Sequence, residues 1–405
     1  MSDSRTLLSP AEPMPGHAPA APERRQFIRL LGGGVVLAAG AGASGCATGM
    51  PEAAVAPWQA AAAEADPRRF MLAHALLAPN PHNRQPWIAD LREPGRIHLV
   101  CDGERLLPET DPFGRQILVG CGAFVELAVM AGAQRGLAVA VEPFPGGAPA
   151  ADALPRGVRV ATLSLGTAGS ARPDALFEQI TRRRTNKSAY ANGRPLPAGL
   201  AQAWRETARA HGLQAGVVEG EAAMAPLRQL TREAFEIECT TPATWLESAR
   251  LMRIGPRAIA EHRDGISLTS PMVRALHTLG LFDPMEVPKP GSTALQRVME
   301  RWAPFETGSG YLWLASADRG RASQLAAGRA YVRMHLQATA AGVDMHPLSQ
   351  ALQEFAQMQR PYAAVHRQLG VDPATGAVQM LARVGQALEP VGPSPRRGLA
   401  AHLKA

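Results

Sequence analysis

At 405 residues the chain has enough material for a large core, and 46% hydrophobic with 19% charged residues excludes a disordered polymer. The formal charge of +7 rests on arginine, since Lys187, Lys289 and Lys404 are the only lysines. No basic tract interleaved with aromatics is present, which argues against nucleic acid, whereas a phosphorylated small molecule needs only two or three placed guanidiniums.

Residues 1–45 read as a targeting segment. Arg24-Arg25-Gln26-Phe27-Ile28-Arg29 precedes the apolar run Leu30 to Ala43, which is short of the ~20 residues a spanning helix needs. The pair of arginines before this run resembles a twin-arginine signal peptide. The resemblance implies export of folded cargo by the Tat machinery, to the periplasm or the outer face of the membrane. Ala43-Ser44-Gly45-Cys46 resembles a lipoprotein box with Ala at its first position. Cys46 is then either lipidated or lost to an ordinary signal peptidase. Residues 46–66, rich in Ala and Pro, read as a flexible tether.

An apolar helical run, Phe70 to Leu77, leads into Ala78-Pro79-Asn80-Pro81-His82-Asn83-Arg84-Gln85-Pro86-Trp87. Pro79 and Pro81 forbid further helix, so a stiff loop carries many directional donors and acceptors. Such a loop suits a flat, heteroatom-rich ring, or simply terminates a helix. Arg96 to Cys101 reads as a strand and Asp111 to Arg135 as a buried helix with Ile117, Leu118, Cys121, Phe124, Val125 and Ala128 on its apolar face. Val158 to Leu165 alternates like another strand. A second unit opens at Pro173, with a predicted helix over Asp174 to Arg183. Arg182-Arg183-Arg184-Thr185-Asn186-Lys187 is the densest cationic stretch, readable as a solvated face or an anion site. Two helical runs and a short strand at Gly216 to Val218 follow, then an irregular region at about 240–308. Gly310 to Ser316 reads as a central strand, Ser323 to Ala340 as a helix ending at Gly342, and Gln379 to Gly385 as a last strand.

Four of these stretches, in order, resemble the flavin-dependent nitroreductase family. Pro79 to Trp87 is similar to its Pro-x-x-x-Asn-x-Gln-Pro-Trp loop, and Arg183-x-Thr185-x-Lys187 to its Arg-x-Ser-x-Lys/Arg opening. Gly342 to Gln350 resembles its Gly-Leu-x-x-x-Pro-x-x-Gly turn, and Pro393 to Leu399 its closing Pro-Lys-x-Arg-x-Pro-Leu. Gln350 in place of glycine points to the Acg-like branch, whose members fuse two such units. The resemblance implies an α+β fold of mixed sheets flanked by helices. Its halves, 67–172 and 173–405, would form an internal pseudo-dimer in a monomer, with a helical lid at about 240–308. It implies one FMN site. Asn80, Pro81, Asn83 and Gln85 would come from the loop, and Arg183, Arg184, Thr185 and Lys187 from the opening. Pro347, Leu348, Ser349 and Gln350 would come from the turn, with Arg397, or else Arg396, returning to the phosphate. Arg183 would hold that phosphate and Lys187 the N1–C2=O edge of the flavin, where reduction places negative charge.

The implied activity is hydride transfer through flavin N5 to an electron-poor acceptor, with no protein nucleophile. His82 and His346 stand near the implied ring as proton donors or as structural groups. Nicotinamide is scarce outside the cytoplasm, so a flavin-sequestering protein with an occluded site is the alternative. The sequence shows no His/Cys metal spacing, no Cys-x-x-Cys and no Gly-x-Ser-x-Gly, so metal and hydrolytic chemistry have no support.

Overall fold

The computed structural model describes residues 49–60 and 64–404. The twin-arginine stretch and Cys46 lie outside the described residues. Two short helices, α1 (Glu52–Val55) and α2 (Pro57–Ala60), come first. They occupy part of the expected tether and are not one: Ala54 is fully buried, and the Ala54 carbonyl accepts the Arg396 N–H at 2.8 Å. The reason is Trp58, whose large ring buries against the first half at 6% exposure and outweighs the entropy of a loose Ala/Pro linker.

The first half then runs α3 (Pro67–Ala75), β1 (Trp87–Asp90), β2 (Arg96–Cys101), α4 (Arg115–Gln134), β3 (Leu137–Pro143) and β4 (Arg159–Ala168). Asp66 caps α3, its carboxylate accepting the Arg68 N–H at 2.8 Å, with Pro67 at the first helical position. Helix α4 is buried nearly all round, and its apolar composition is that of a core element.

The second half begins with α5 (Leu200–Ala210) and β5 (Gln214–Glu219). A long insertion follows: α6 (Glu221–Thr240), α7 (Pro242–Arg250), β6 (Met252–Ile254), α8 (Gly255–His262), β7 (Ile266–Leu268), α9 (Pro271–Thr278) and α10 (Thr293–Glu300). The half is completed by β8 (Gly310–Ser316), α11 (Arg321–Ala340), β9 (Asp344–Pro347), α12 (Gln359–Gln368) and β10 (Ala377–Gly385).

Each half builds a four-stranded antiparallel sheet, in the orders β1-β2-β4-β3 and β5-β8-β10-β9. Numbered within its own half, each is first, second, fourth, third. Each half also has a helix before its first strand and a long helix after its second. The halves thus share one topology, differing mainly where residues 220–309 replace the short turn 91–95. Among the described residues, parallel pairing is confined to β6 with β7 and to single bridges, Thr185 against Met345 and Leu403 against Ala89.

The strands Arg96–Cys101 and Gly310–Ser316 coincide with the sequence expectation, and β8 is central. The helix expected over 174–183 is not there; only a single 3-10 turn forms at Phe177–Gln179. Thr185 is drawn into a bridge with β9, so the chain must leave helical geometry just before the arginines.

The halves meet along α4 and α11, with Gly122 lying against Leu325 and Gly328. Beside that contact the buried Glu126 carboxylate accepts from Arg329 at 2.8 Å and Arg333 at 2.7 Å. The insertion is riveted to the first half. Glu247 accepts the backbone N–H groups of Glu109 and Thr110, each at 3.0 Å, while Asp264 pairs with Arg105 at 2.7 Å and Arg253 at 2.9 Å. After β10 the chain returns to the first half and ends against β1.

Candidate functional site

The two prolines that end α3 also create the first wall of a site. The carbonyls of Leu76, Leu77 and Ala78 have no continuing helix to donate to them, and they form the negative end of the helix dipole. Arginines fill that role. Arg396 donates to Leu76 O at 2.8 Å, Leu77 O at 3.2 Å and Ala78 O at 3.1 Å. Arg183 donates to the same Leu77 oxygen at 3.0 Å. Arg184 stands beside them, and the Trp58 ring covers all three guanidiniums, at 4.4 Å from Arg184, 5.2 Å from Arg396 and 5.9 Å from Arg183.

No carboxylate compensates this trio among the described residues. Arg183 and Arg396 are each 2% exposed, and Nε and Nη1 of Arg183 have no hydrogen-bond partner among the described residues. Burial, opposed in part by Tyr331 and reinforced by the Arg184 charge, depresses the Arg183 pKa to about 10. Arg396 is depressed further by burial and by Arg183 and Arg184. Uncompensated buried cations cost several kcal/mol each, a cost that an anion would relieve. The donor set suits a phosphate: guanidinium forks with free N–H groups.

Of the two C-terminal candidates, Arg396 joins Arg183. Arg397, the first choice from sequence, is turned away and donates to Gln85 O at 2.9 Å. The sequence offers adjacent arginines with nothing to separate them; the carbonyls at the end of α3 decide.

The loop itself is strained. His82, Asn83 and Gln85 all have left-handed backbones, with φ of 45°, 50° and 51°. Non-glycine residues pay on the order of 1 kcal/mol or more for this, so the loop must be held. Asn83 holds it to the tail: its Nδ2 donates to Pro395 O at 3.0 Å, and its Oδ1 accepts from Arg396 at 2.8 Å. Gln85 is fully buried; its Nε2 donates to Arg263 O at 2.9 Å and its Oε1 accepts the Arg397 N–H at 2.9 Å. Asn80 accepts the Gln85 N–H at 2.7 Å and donates to Ala78 O at 3.2 Å. Asn80 and Gln85 therefore shape the loop, with their polar atoms spent on protein partners. Pro81 opens its 3-10 turn.

Past the arginines, the same two segments frame a second group of polar side chains. Lys187 is four residues beyond Arg183, at most about 13 Å of extended chain. It is exposed, yet surrounding protein lowers its pKa, opposed by Glu238. His82 faces it from the loop, with Nε2 4.0 Å from Glu238 Oε1. Burial, then the Lys187 and Arg84 charges, hold the His82 pKa down to about 4, so the ring is neutral. His346, depressed by burial, Lys187 and Arg383, accepts from Arg383 Nε at 3.1 Å and is a structural acceptor.

The turn residues divide. Leu348 is 1% exposed and its N–H is taken by Leu381 O at 2.8 Å, so it belongs to the core. Pro347 ends β9, and Ser349 leads into the 3-10 turn at Gln350–Leu352. Gln350 stands near Glu238 and helps to lower its pKa, and its Oε1 lacks a partner among the described residues.

Glu238 escaped sequence reasoning altogether. It sits in the last turn of α6, and only the fold brings it to His82 and Lys187. Its nearest sequence signal was an acid flanked by apolar residues in Phe235-Glu236-Ile237-Glu238-Cys239.

A separate cavity of about 420 Å³ is lined by Arg182, Arg184, Asn186, Asp344 and Glu389. It shares Arg184 with the trio but none of the loop residues 80–85. No cluster of three metal-binding side chains occurs among the described residues.

No family model matches the chain. It is 30% identical over 347 residues, 83% of this chain and 90% of the relative, to the Mycobacterium tuberculosis protein named "Putative NAD(P)H nitroreductase Rv3131". It is also 41% identical over 71 residues, 18% of this chain and 21% of the relative, to "Putative NAD(P)H nitroreductase acg" of the same organism. The FMN-dependent nitroreductase NfnB of Mycobacterium smegmatis, solved with NADPH, aligns over 56% of this chain and 96% of that one at 18% identity and a TM-score of 0.34.

Proposed function

The chain belongs to the NAD(P)H nitroreductase family, and from that premise we propose that it is an exported flavoprotein holding FMN in the crevice between its halves. FMN, when bound, supplies hydride transfer through N5 to an electron-poor acceptor such as a nitroaromatic or a quinone. The observation that carries this reading is the cluster of buried Arg183 and Arg396 with half-buried Arg184, in which two Arg183 nitrogens are unpartnered and no acidic counterpart stands among the described residues. Arg183 and Arg396 hold the phosphate, with Arg184 beside them. Lys187 stabilises the negative charge of the reduced ring. The loop at His82 and Asn83 closes one side, and Gln350 the other. The shared topology of the two halves supports an internal pseudo-dimer in a single chain. The Tat signal, the periplasmic location and the lipid at Cys46 complete the proposal, on the strength of the N-terminal motifs.

The test is an absorption spectrum of full-length protein purified from cytoplasm, with FMN titration of any flavin-free fraction. A yellow protein whose colour is bleached by NADPH and restored by a quinone is expected. A colourless protein that ignores added FMN would reject the reading. Mass spectrometry of the mature N-terminus decides lipidation at Cys46.

One observation favours a flavin-sequestering variant. The insertion grips the loop itself, through Asp264 to Arg84 and Arg105, through Gly265 N–H to Asn83 O at 3.3 Å, and through Gln85 to Arg263 O. A lid so held restricts access to the ring. If it limits turnover, Asp264→Asn raises reoxidation by quinone at unchanged FMN affinity; unchanged turnover would count against occlusion.

A further inference from the structure

A carboxylate in the last turn of a helix faces the negative end of the helix dipole, and burial raises its cost further. Glu238 accepts both penalties: it is 7% exposed and lies in the last turn of α6. Its partners are few. Oε2 accepts from Gln353 Nε2 at 3.1 Å, Gln350 stands nearby, and Oε1 lies 4.0 Å from His82 Nε2. Lys187 acts on it from the crevice without forming an ion pair, and Glu247 repels it from α7. A buried acid in this setting favours its neutral form, and burial carries its pKa up to about 7. His82 is the complementary half. It is neutral, held by a strained loop, and its Nδ1 has no hydrogen-bond partner among the described residues.

Resting on the function just argued, we propose that Glu238, acting through His82, supplies the proton that accompanies the hydride to the acceptor. In the reduction of a quinone, one oxygen takes the hydride that comes from dihydronicotinamide by way of the flavin. The other oxygen takes a proton from His82 Nδ1–H; as the two side chains close their 4.0 Å separation to hydrogen-bond distance, the Glu238 O–H bond breaks and its proton moves to His82 Nε2. Water then gives a proton to His82 Nδ1 through the opening at Lys187 while Nε2 returns its proton to the Glu238 carboxylate, which restores both groups for the next turnover. The dyad spans the two halves: His82 comes from the first and Glu238 from the insertion in the second.

Two measurements decide it. Flavin-free protein with its glutamate carboxyls labelled with carbon-13 is titrated by NMR, beside Glu238→Gln. One carboxyl resonance should titrate near pH 7 and be missing from the variant. FMN-loaded protein, pre-reduced, is then mixed with benzoquinone between about pH 5 and about pH 9. Wild-type reoxidation should fall roughly tenfold per pH unit above the midpoint, whereas Glu238→Gln should be slow and flat with pH. His82→Asn, which suits a left-handed backbone, should flatten the profile while the carboxyl still titrates. A colourless protein overturns both this proposal and the cofactor reading. A yellow protein whose carboxyls all titrate below about 5, or whose variant profiles follow wild type, overturns this proposal alone.

Discussion

Gly122 of α4 and Gly328 of α11 lie against each other across the seam of the two halves. A Cβ on Gly122 would overlap the Leu325 carbonyl oxygen, and one on Gly328 the Val119 carbonyl oxygen. Both obstacles are backbone within long helices, so neither can step aside. Gly122→Ala should therefore destabilise the chain by 3 kcal/mol or more, about the severe end for overpacking. Urea unfolding measures it, with Gly146→Ala, which meets nothing within 4 Å, as the neutral control.

Arg183→Ala separates ligand binding from folding. Its hydrogen bond to Leu77 O is replaceable, because Arg396 serves the same oxygen. FMN affinity should fall by about 1.5–3 kcal/mol, the range for a charged hydrogen bond. Fluorescence titration checks this, and a melting curve close to wild type confirms that the loss is local.

Trp58→Ala tests whether the N-terminal helices belong to the fold. The ring is 6% exposed, rests on three guanidiniums and donates to Ser394 O at 2.8 Å. A loss of about 3–5 kcal/mol is expected in equilibrium unfolding, as for other buried tryptophans. A loss below about 0.5 kcal/mol would mean a surface tether after all.

One component of the pH dependence of stability follows from Glu238. Its folded pKa of about 7 exceeds the ordinary 4.5, chiefly through burial. Between these values the folded chain holds a proton that the unfolded chain has lost, so stability falls as pH rises through the window and levels off above it. The full span is worth about 3 kcal/mol. Glu238→Gln should remove this slope and be the more stable form near pH 8, as denaturant titrations at several pH values would show.

What could be read from the chain was local. The prolines at 79 and 81 announce a stiff loop, and Gly310 to Ser316 is a strand by composition alone. The motif order placed Arg183 and Asn83 in one site, and Arg396 bridges them. What failed was decided by distant partners. The 174–183 stretch has helical composition but forms only turns, because Thr185 just beyond it is drawn into a bridge with β9. Trp58 looks like one aromatic in a linker until three arginines from elsewhere surround it. Glu238 reads as one of many surface acids because nothing beside it in sequence declares its burial.

The tail that carries Arg396 back to α3 makes the loop and the arginines one unit. Arg396 serves Asn83 and the carbonyls at the end of α3 at once, so cutting the chain before residue 394 would release the strained loop backbone and unseat the guanidiniums in a single event.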